Sequence, residues 1–70
     1  MKPGDLVMFN SSTSRYAKWF YGRFGIVESV TPSLSSCRVR WLHAVKYYDK
    51  RTTTYSDFEC DKFEVYGGGQ

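Results

Sequence analysis

Residues 37–42 alternate between apolar and charged side chains, and this pattern restricts the fold more than any other feature of the sequence. Cys37, Val39 and Trp41 share one set of positions, and two arginines occupy the positions between them. Successive side chains of a β-strand point to opposite faces, whereas an α-helix repeats every 3.6 residues. The alternation therefore predicts a strand with one buried face, with Trp41 in the core of an all-β structure.

Four other short segments have the composition of strands and are bounded by glycine, proline or polar residues. They are residues 6–9, 25–30, 52–55 and 62–66. We expect residues 31–36 and 43–51 to be connections, and residues 15–21 to form a strand or an ordered loop. Ser56 and Glu59 match a capping box, which predicts one short helical turn before the last strand.

The chain has 70 residues, which is enough for one domain with a thin core. Aromatic residues make up 19% of it, and large rings allow a small core to bury much apolar area. Five short strands in such a chain favour a barrel, because closure removes exposed sheet edges. We predict a single small β-barrel domain over residues 1–66, followed by a flexible Gly-rich tail over residues 67–70.

Four short motifs together resemble a known fold group. They are Gly-Asp-Leu-Val at residues 4–7, Gly-Ile-Val at 25–27, Arg-Val-Arg-Trp at 38–41 and Phe-Glu-Val at 63–65. The chain resembles Src-homology-3-like small barrels over residues 2–66, especially short bacterial and bacteriophage proteins, and more distantly KOW and Tudor domains. The resemblance implies a five-stranded barrel. The Ala-Leu-Tyr-Asp-Tyr type of motif found in proline-peptide binders is absent, and fold alone does not define function.

The charge is unevenly distributed along the chain. The formal net charge is +3, which divides into +6 over residues 1–51 and −3 over residues 52–70. A basic region favours anionic partners. Arg38 and Arg40 could extend such a region, or they could simply keep an exposed sheet face soluble.

Basic and aromatic residues alternate in two segments, residues 15–23 and 43–51. Cations neutralise phosphates, and aromatic rings stack on unpaired bases. We therefore predict a nucleic-acid or partner-binding surface with low sequence specificity. Its predicted residues are Arg15, Lys18, Trp19, Tyr21, Arg23, Lys46, Tyr47, Tyr48, Lys50 and Arg51. The alternative is that Trp19, Phe20 and Tyr47 are core rings and the charges are ordinary solvated ones.

A second functional hypothesis is protein docking. Exposed Trp, Tyr and Arg residues often anchor protein interfaces. The chain would then be an adaptor or structural component, for example a bacteriophage protein that binds a host or virion protein. An aromatic cage for a methylated cation would require several of Trp19, Tyr21, Tyr47 and Tyr48 to converge.

The sequence lacks the parts of a catalytic site. His43 is the one histidine, and no residue near it lies in a recognisable nucleophile turn. Residues 22–25 lack the Lys-Ser/Thr of a phosphate-binding loop. We therefore expect no enzymatic activity, no cofactor, no metal and no small-molecule substrate.

The remaining residues of interest have simple interpretations. Cys37 and Cys60 are expected to be buried thiols, and whether they pair is left open. We expect a solvated face, rather than a cation site, from the acidic residues Asp57, Glu59, Asp61 and Glu64. No apolar run marks a signal peptide or a membrane span, so we expect a soluble, cytoplasmic protein, located in the host cytoplasm if it is a phage protein.

Overall fold

Five antiparallel strands make up most of the structure, a computed structural model that describes residues 1–48 and 50–67. The strands are β1 (Leu6–Phe9), β2 (Phe24–Thr31), β3 (Ser36–Tyr47), β4 (Arg51–Glu59) and β5 (Phe63–Gly67). A single α-helical turn, α1 (Ala17–Phe20), lies between β1 and β2. Two 3₁₀ turns, Pro32–Leu34 and Cys60–Lys62, precede β3 and β5. The all-β class and the helical turn before the last strand are confirmed.

The sheet has the strand order β4-β3-β2-β1-β5 and is not closed into a barrel. Between the described residues of its edge strands, β4 and β5, there is no backbone ladder. The 3₁₀ turn Cys60–Lys62 separates the two strands, and its first N–H donates to the carbonyl of Ser35 at 2.8 Å. Aromatic rings cross the gap, since Phe58 lies 6.1 Å from Phe63 and 4.9 Å from Phe9 between ring centroids. The closure expected from the sequence is therefore not found, although the five antiparallel strands are compatible with a small β-barrel-like fold.

The core is formed by side chains from one face of the sheet together with Phe20 of α1. Its buried residues are Val7, Phe9, Phe20, Val27, Cys37, Val39, Trp41 and Val45. The alternation predicted for residues 37–42 is confirmed, and Trp41 is only 4% exposed. Its indole N–H donates to Ser56 Oγ at 3.0 Å, which satisfies the polar atom of a buried ring. Cys37 is buried and Cys60 half-buried, and both are free thiols.

The connection predicted over residues 43–51 is much shorter in the structure. β3 continues to Tyr47 and β4 begins at Arg51. The register shifts between Arg40, opposite Tyr55, and Val45, opposite Thr53. Extra residues on β3 are accommodated there as a bulge, so the alternation stops and then resumes at the buried Val45. This interruption makes the second half of β3 look like a polar loop in the sequence.

Two other predictions of local structure need correction. Residues 15–21 contain the helical turn α1 rather than a strand. Residues 56–59 belong to β4, and the 3₁₀ turn begins only at Cys60, without a side-chain cap. Gly67 is the last residue of β5, and residues 68–70 of the predicted tail lie outside the described residues. Across the described ranges, no helix has the length and apolar character needed to cross a membrane.

Candidate functional site

The two basic and aromatic segments meet in the folded chain. Trp19, in α1, and Tyr48, just after β3, have ring centroids 4.6 Å apart with an angle of 51° between their planes. Tyr48 also contacts Tyr47 at 5.6 Å and Tyr16 at 6.3 Å. We call these four residues the aromatic cluster. Because the rings of Trp19 and Tyr48 touch each other, they leave no gap between them for a methylated cation.

Phe20 holds the helical turn α1 against the sheet. An isolated helix of four residues is not stable in water, so its position depends on packing. Phe20 is 2% exposed, and its ring lies 5.2 Å from Trp41 and 5.3 Å from Phe58. The interpretation of Phe20 as a core ring is therefore correct. Trp19 and Tyr47 are half-buried against the core, which leaves part of each ring at the surface.

Tyr48 occupies an unusual backbone conformation. Its φ is +51°, in the left-handed region that few residues other than Gly, Asn and Asp adopt readily. The hairpin turn between β3 and β4 nevertheless places an aromatic ring there, and 48% of this residue is exposed. Strain of this kind is found more often at functional sites than elsewhere.

Two cations lie against rings of the aromatic cluster. Lys18 Nζ lies 4.9 Å from the Trp19 ring centroid, and the Arg15 guanidinium lies 5.3 Å from that of Tyr16. Arg15 also donates to the phenol oxygen of Tyr16, and this bond, with a smaller contribution from Tyr48, lowers the pKa of Tyr16. The exposed cations of the two segments are Arg15, Lys18, Arg23, Lys46, Lys50 and Arg51. Within residues 1–48 and 50–67, none of them forms an ion pair.

Arg38 and Arg40, in contrast, are paired with carboxylates. Arg38 Nε donates to Asp57 at 3.0 Å, and Arg40 Nε donates to Glu28 at 2.6 Å. The bond from Arg38 lowers the pKa of Asp57. These pairs favour the interpretation that Arg38 and Arg40 keep an exposed sheet face soluble. Both residues differ in this pairing from the six unpaired cations.

A groove of about 430 Å³ lies beside the aromatic cluster. We call it the α1–β4 groove, and it is lined by Tyr16, Phe20, Tyr47, Thr53, Tyr55, Ser56, Asp57 and Phe58. The sequence analysis missed the β4 wall of this groove because it assigned residues 56–59 to a helical turn. In the structure, Ser56 and Phe58 are half-buried and alternate with the exposed Tyr55, Asp57 and Glu59, as the residues of a strand do.

Two predicted site residues lie at the border of this surface. Tyr21 is 51% exposed and makes no ring contact with the aromatic cluster within the described part of the chain. It lies toward β5, where it adds a small effect to that of Glu64 in raising the pKa of Tyr66. Arg23 Nε donates to the carbonyl of Trp19 at 3.4 Å. It also lines a separate hollow of about 230 Å³ with Gly22, Phe24, Leu42 and His43.

Among residues 1–48 and 50–67, no group of three or more His, Cys, Asp or Glu side chains is placed to hold a metal ion. Asp57 is paired with Arg38, and Glu64 accepts a hydrogen bond from Asn10 Nδ2 at 3.1 Å.

Comparison with known proteins provides no relative for this chain. No protein-family model matches it, and no curated protein or solved structure matches it either.

Proposed function

We propose that this protein binds nucleic acid, with low sequence specificity, through the aromatic cluster and the cations around it. The observation that supports this proposal most directly is the contact between Trp19 and Tyr48, at 4.6 Å. It brings together two segments that are far apart in sequence and that carry six exposed cations between them. Their lack of carboxylate partners in the described chain leaves them available for phosphates.

The chemistry of this surface suits a nucleic acid in two ways. Lysine and arginine side chains that contact phosphates release counterions, which supplies affinity that does not depend on sequence. Exposed rings stack on bases of any identity, because every base has an aromatic face. Sequence-specific recognition instead needs directed hydrogen bonds to base edges. The aromatic cluster therefore supports affinity for nucleic acid in general.

We also infer that the fold is of the Src-homology-3-like type. The strand order β4-β3-β2-β1-β5 and the 3₁₀ turn between β4 and β5 support this assignment. In this arrangement, the binding surface is built from the long β1–β2 connection and the β3–β4 hairpin. This inference concerns the fold alone and does not define the partner.

Intrinsic tryptophan fluorescence tests the proposed function. The chain has two tryptophans, the half-buried Trp19 and the buried Trp41. We expect short DNA and RNA strands to quench the emission at low salt, and the affinity to fall as the salt concentration rises. Trp19→Phe should remove the quenching, since only the buried Trp41 then emits. If no nucleic acid changes the emission at low salt, or if binding is insensitive to salt, the proposal is wrong and protein docking becomes the better hypothesis.

A further inference from the structure

We infer that the α1–β4 groove receives an unpaired base, so that the protein prefers single-stranded to double-stranded nucleic acid. This inference rests on the proposed function, because it assigns a substrate class to the same surface. The groove adjoins the aromatic cluster directly, since Tyr16 and Tyr47 belong to both. A strand bound at the cluster can therefore reach the groove without crossing another element.

The walls of the groove are suited to a flat aromatic occupant. Tyr16 and Phe58 contact each other in its lining, with ring centroids 5.6 Å apart, and the buried Phe20 lies 5.3 Å from Phe58. Tyr55, on β4, is 49% exposed, and the guanidinium of Arg38 lies over its ring, 5.0 Å from the centroid. Stacking on such rings stabilises an unpaired base. A base within a duplex is covered by its neighbours on both faces and must be flipped out before it can enter.

The hydroxyl group of Ser56, in the groove, can form one more hydrogen bond as a donor. Ser56 Oγ accepts the indole N–H of Trp41 at 3.0 Å. A serine hydroxyl can also donate its own proton, and within the described residues no acceptor receives it. All four bases carry acceptors on their edges. A donor at this position therefore fits a base without selecting one kind.

The charges at the rim favour a nucleic acid over an apolar peptide as the occupant. Arg15 lies over the ring of Tyr16, and Arg51 faces Tyr47 across the β3–β4 ladder. At the other end, the carboxylate of Asp57 is paired with Arg38, which reduces its repulsion of a phosphate. The groove thus combines aromatic and polar walls with cations at the hairpin end, which matches a base attached to a phosphate backbone.

The experiment compares a short single strand with a blunt-ended duplex formed by the same strand and its complement, by fluorescence titration at one low salt concentration. We expect the wild-type protein to bind the single strand at least about tenfold more tightly, because the duplex must first unstack a base. Tyr55→Ala should weaken single-strand binding roughly 5- to 150-fold and leave duplex binding unchanged. Tyr66→Ala is the matched control, because Tyr66 is similarly exposed but lies on β5, in contact with Phe24.

The outcomes separate this inference from the proposed function. If single strand and duplex bind equally well, or if Tyr55→Ala binds the single strand as tightly as wild type, the inference is overturned and general nucleic-acid binding stands. If neither ligand binds, both are overturned. If Tyr55→Ala does not fold, photo-crosslinking of a strand containing 5-iodouracil to the wild-type protein decides the question. Crosslinks to Tyr55 or Phe58 support the inference, and crosslinks confined to other residues overturn it.

Discussion

At the scale of single residues, Tyr48 links backbone strain to the proposed binding surface. We predict that Tyr48→Asn changes thermal stability little, because Asn adopts a positive φ more readily and this relief offsets the lost ring contacts. The same change should weaken nucleic-acid binding roughly 5- to 150-fold, since one stacking ring is removed. Thermal unfolding and fluorescence titration measure the two effects.

Ser35 provides a control for this prediction. It also has a φ of +51°, but it lies between the 3₁₀ turn Pro32–Leu34 and β3, away from the aromatic cluster. Ser35→Asn should therefore leave the affinity unchanged. Equal binding by Tyr48→Asn and wild type would show that the ring of Tyr48 does not contact the ligand.

Cys37 gives the stability of the protein a dependence on alkaline pH. Burial, and then the neighbouring Cys60, raise the pKa of the Cys37 thiol from its ordinary 9.0 to about 12. The unfolded chain therefore loses this proton at a lower pH than the folded protein does. The contribution to stability is complete below pH 9.0 and is lost as the pH rises from there to about 12.

We predict that this titration lowers the free energy of unfolding by at most about 1.4 kcal/mol per pH unit above that threshold. Urea unfolding between about pH 8 and about pH 10.5 measures the slope. Cys37→Ala should have a lower stability throughout, because it leaves a small cavity, but a shallower decline with pH. Parallel declines in the two proteins would contradict the assignment of this slope to Cys37.

At the scale of secondary-structure elements, local patterns predicted the strands that alternate without interruption. The first half of β3 and the position of Trp41 follow from period-two alternation alone. The second half was missed because the bulge between Arg40 and Val45 depends on pairing with β4, which is not a local property. The strand predicted over residues 52–55 likewise ends too early, because Ser56 and Glu59 match a capping box, whereas β4 continues to Glu59.

The candidate site was also predictable only in part. Its composition was predictable, because basic and aromatic residues alternate in both segments. The contact between Trp19 and Tyr48 was not predictable, because it depends on how Phe20 packs against Trp41 and Phe58. The α1–β4 groove likewise exists only where two distant elements face each other.

The pairing of β2 with β3 depends on Gly25. A Cβ atom at this position would collide with Val39 Cγ1 and would lie 2.7 Å from the carbonyl oxygen of Arg40. Because the second contact is with backbone, the two strands would have to move apart. We predict that Gly25→Ala destabilises the protein by roughly 1–3 kcal/mol, measured by urea unfolding. Gly67→Ala is the control, since its Cβ would have only an ordinary contact with Leu6 at 3.8 Å; a similar loss in both variants would contradict the explanation.

At the scale of the whole molecule, the exposed cations of the proposed surface and the acidic residues of the C-terminal part lie mostly on different elements. The six cations of the proposed surface lie around α1 and the β3–β4 hairpin. Four acidic residues, Asp57, Glu59, Asp61 and Glu64, lie at the end of β4, in the 3₁₀ turn and on β5. A charge distribution of this kind orients an approaching polyanion before contact. The position of a cation should therefore matter more to binding than its contribution to the net charge.

Salt dependence tests this expectation directly. For single strands, the logarithm of the affinity falls with the logarithm of the salt concentration by about 0.7 per phosphate contact. Removing Lys46 and Lys50 together, as Lys46→Gln with Lys50→Gln, should therefore reduce the slope by about 1.4. Both residues are exposed, so little loss of stability is expected.

A second double variant removes the same charge elsewhere. Lys2 precedes β1 at the end away from α1, and Lys62 lies in the 3₁₀ turn, 3.8 Å from Asp61. Lys2→Gln with Lys62→Gln lowers the net charge equally, but it should leave the slope close to that of wild type, because these side chains do not meet phosphates. Equal slopes in the two double variants would mean that net charge alone attracts the nucleic acid. The surface around Trp19 and Tyr48 would then have no special role in binding it.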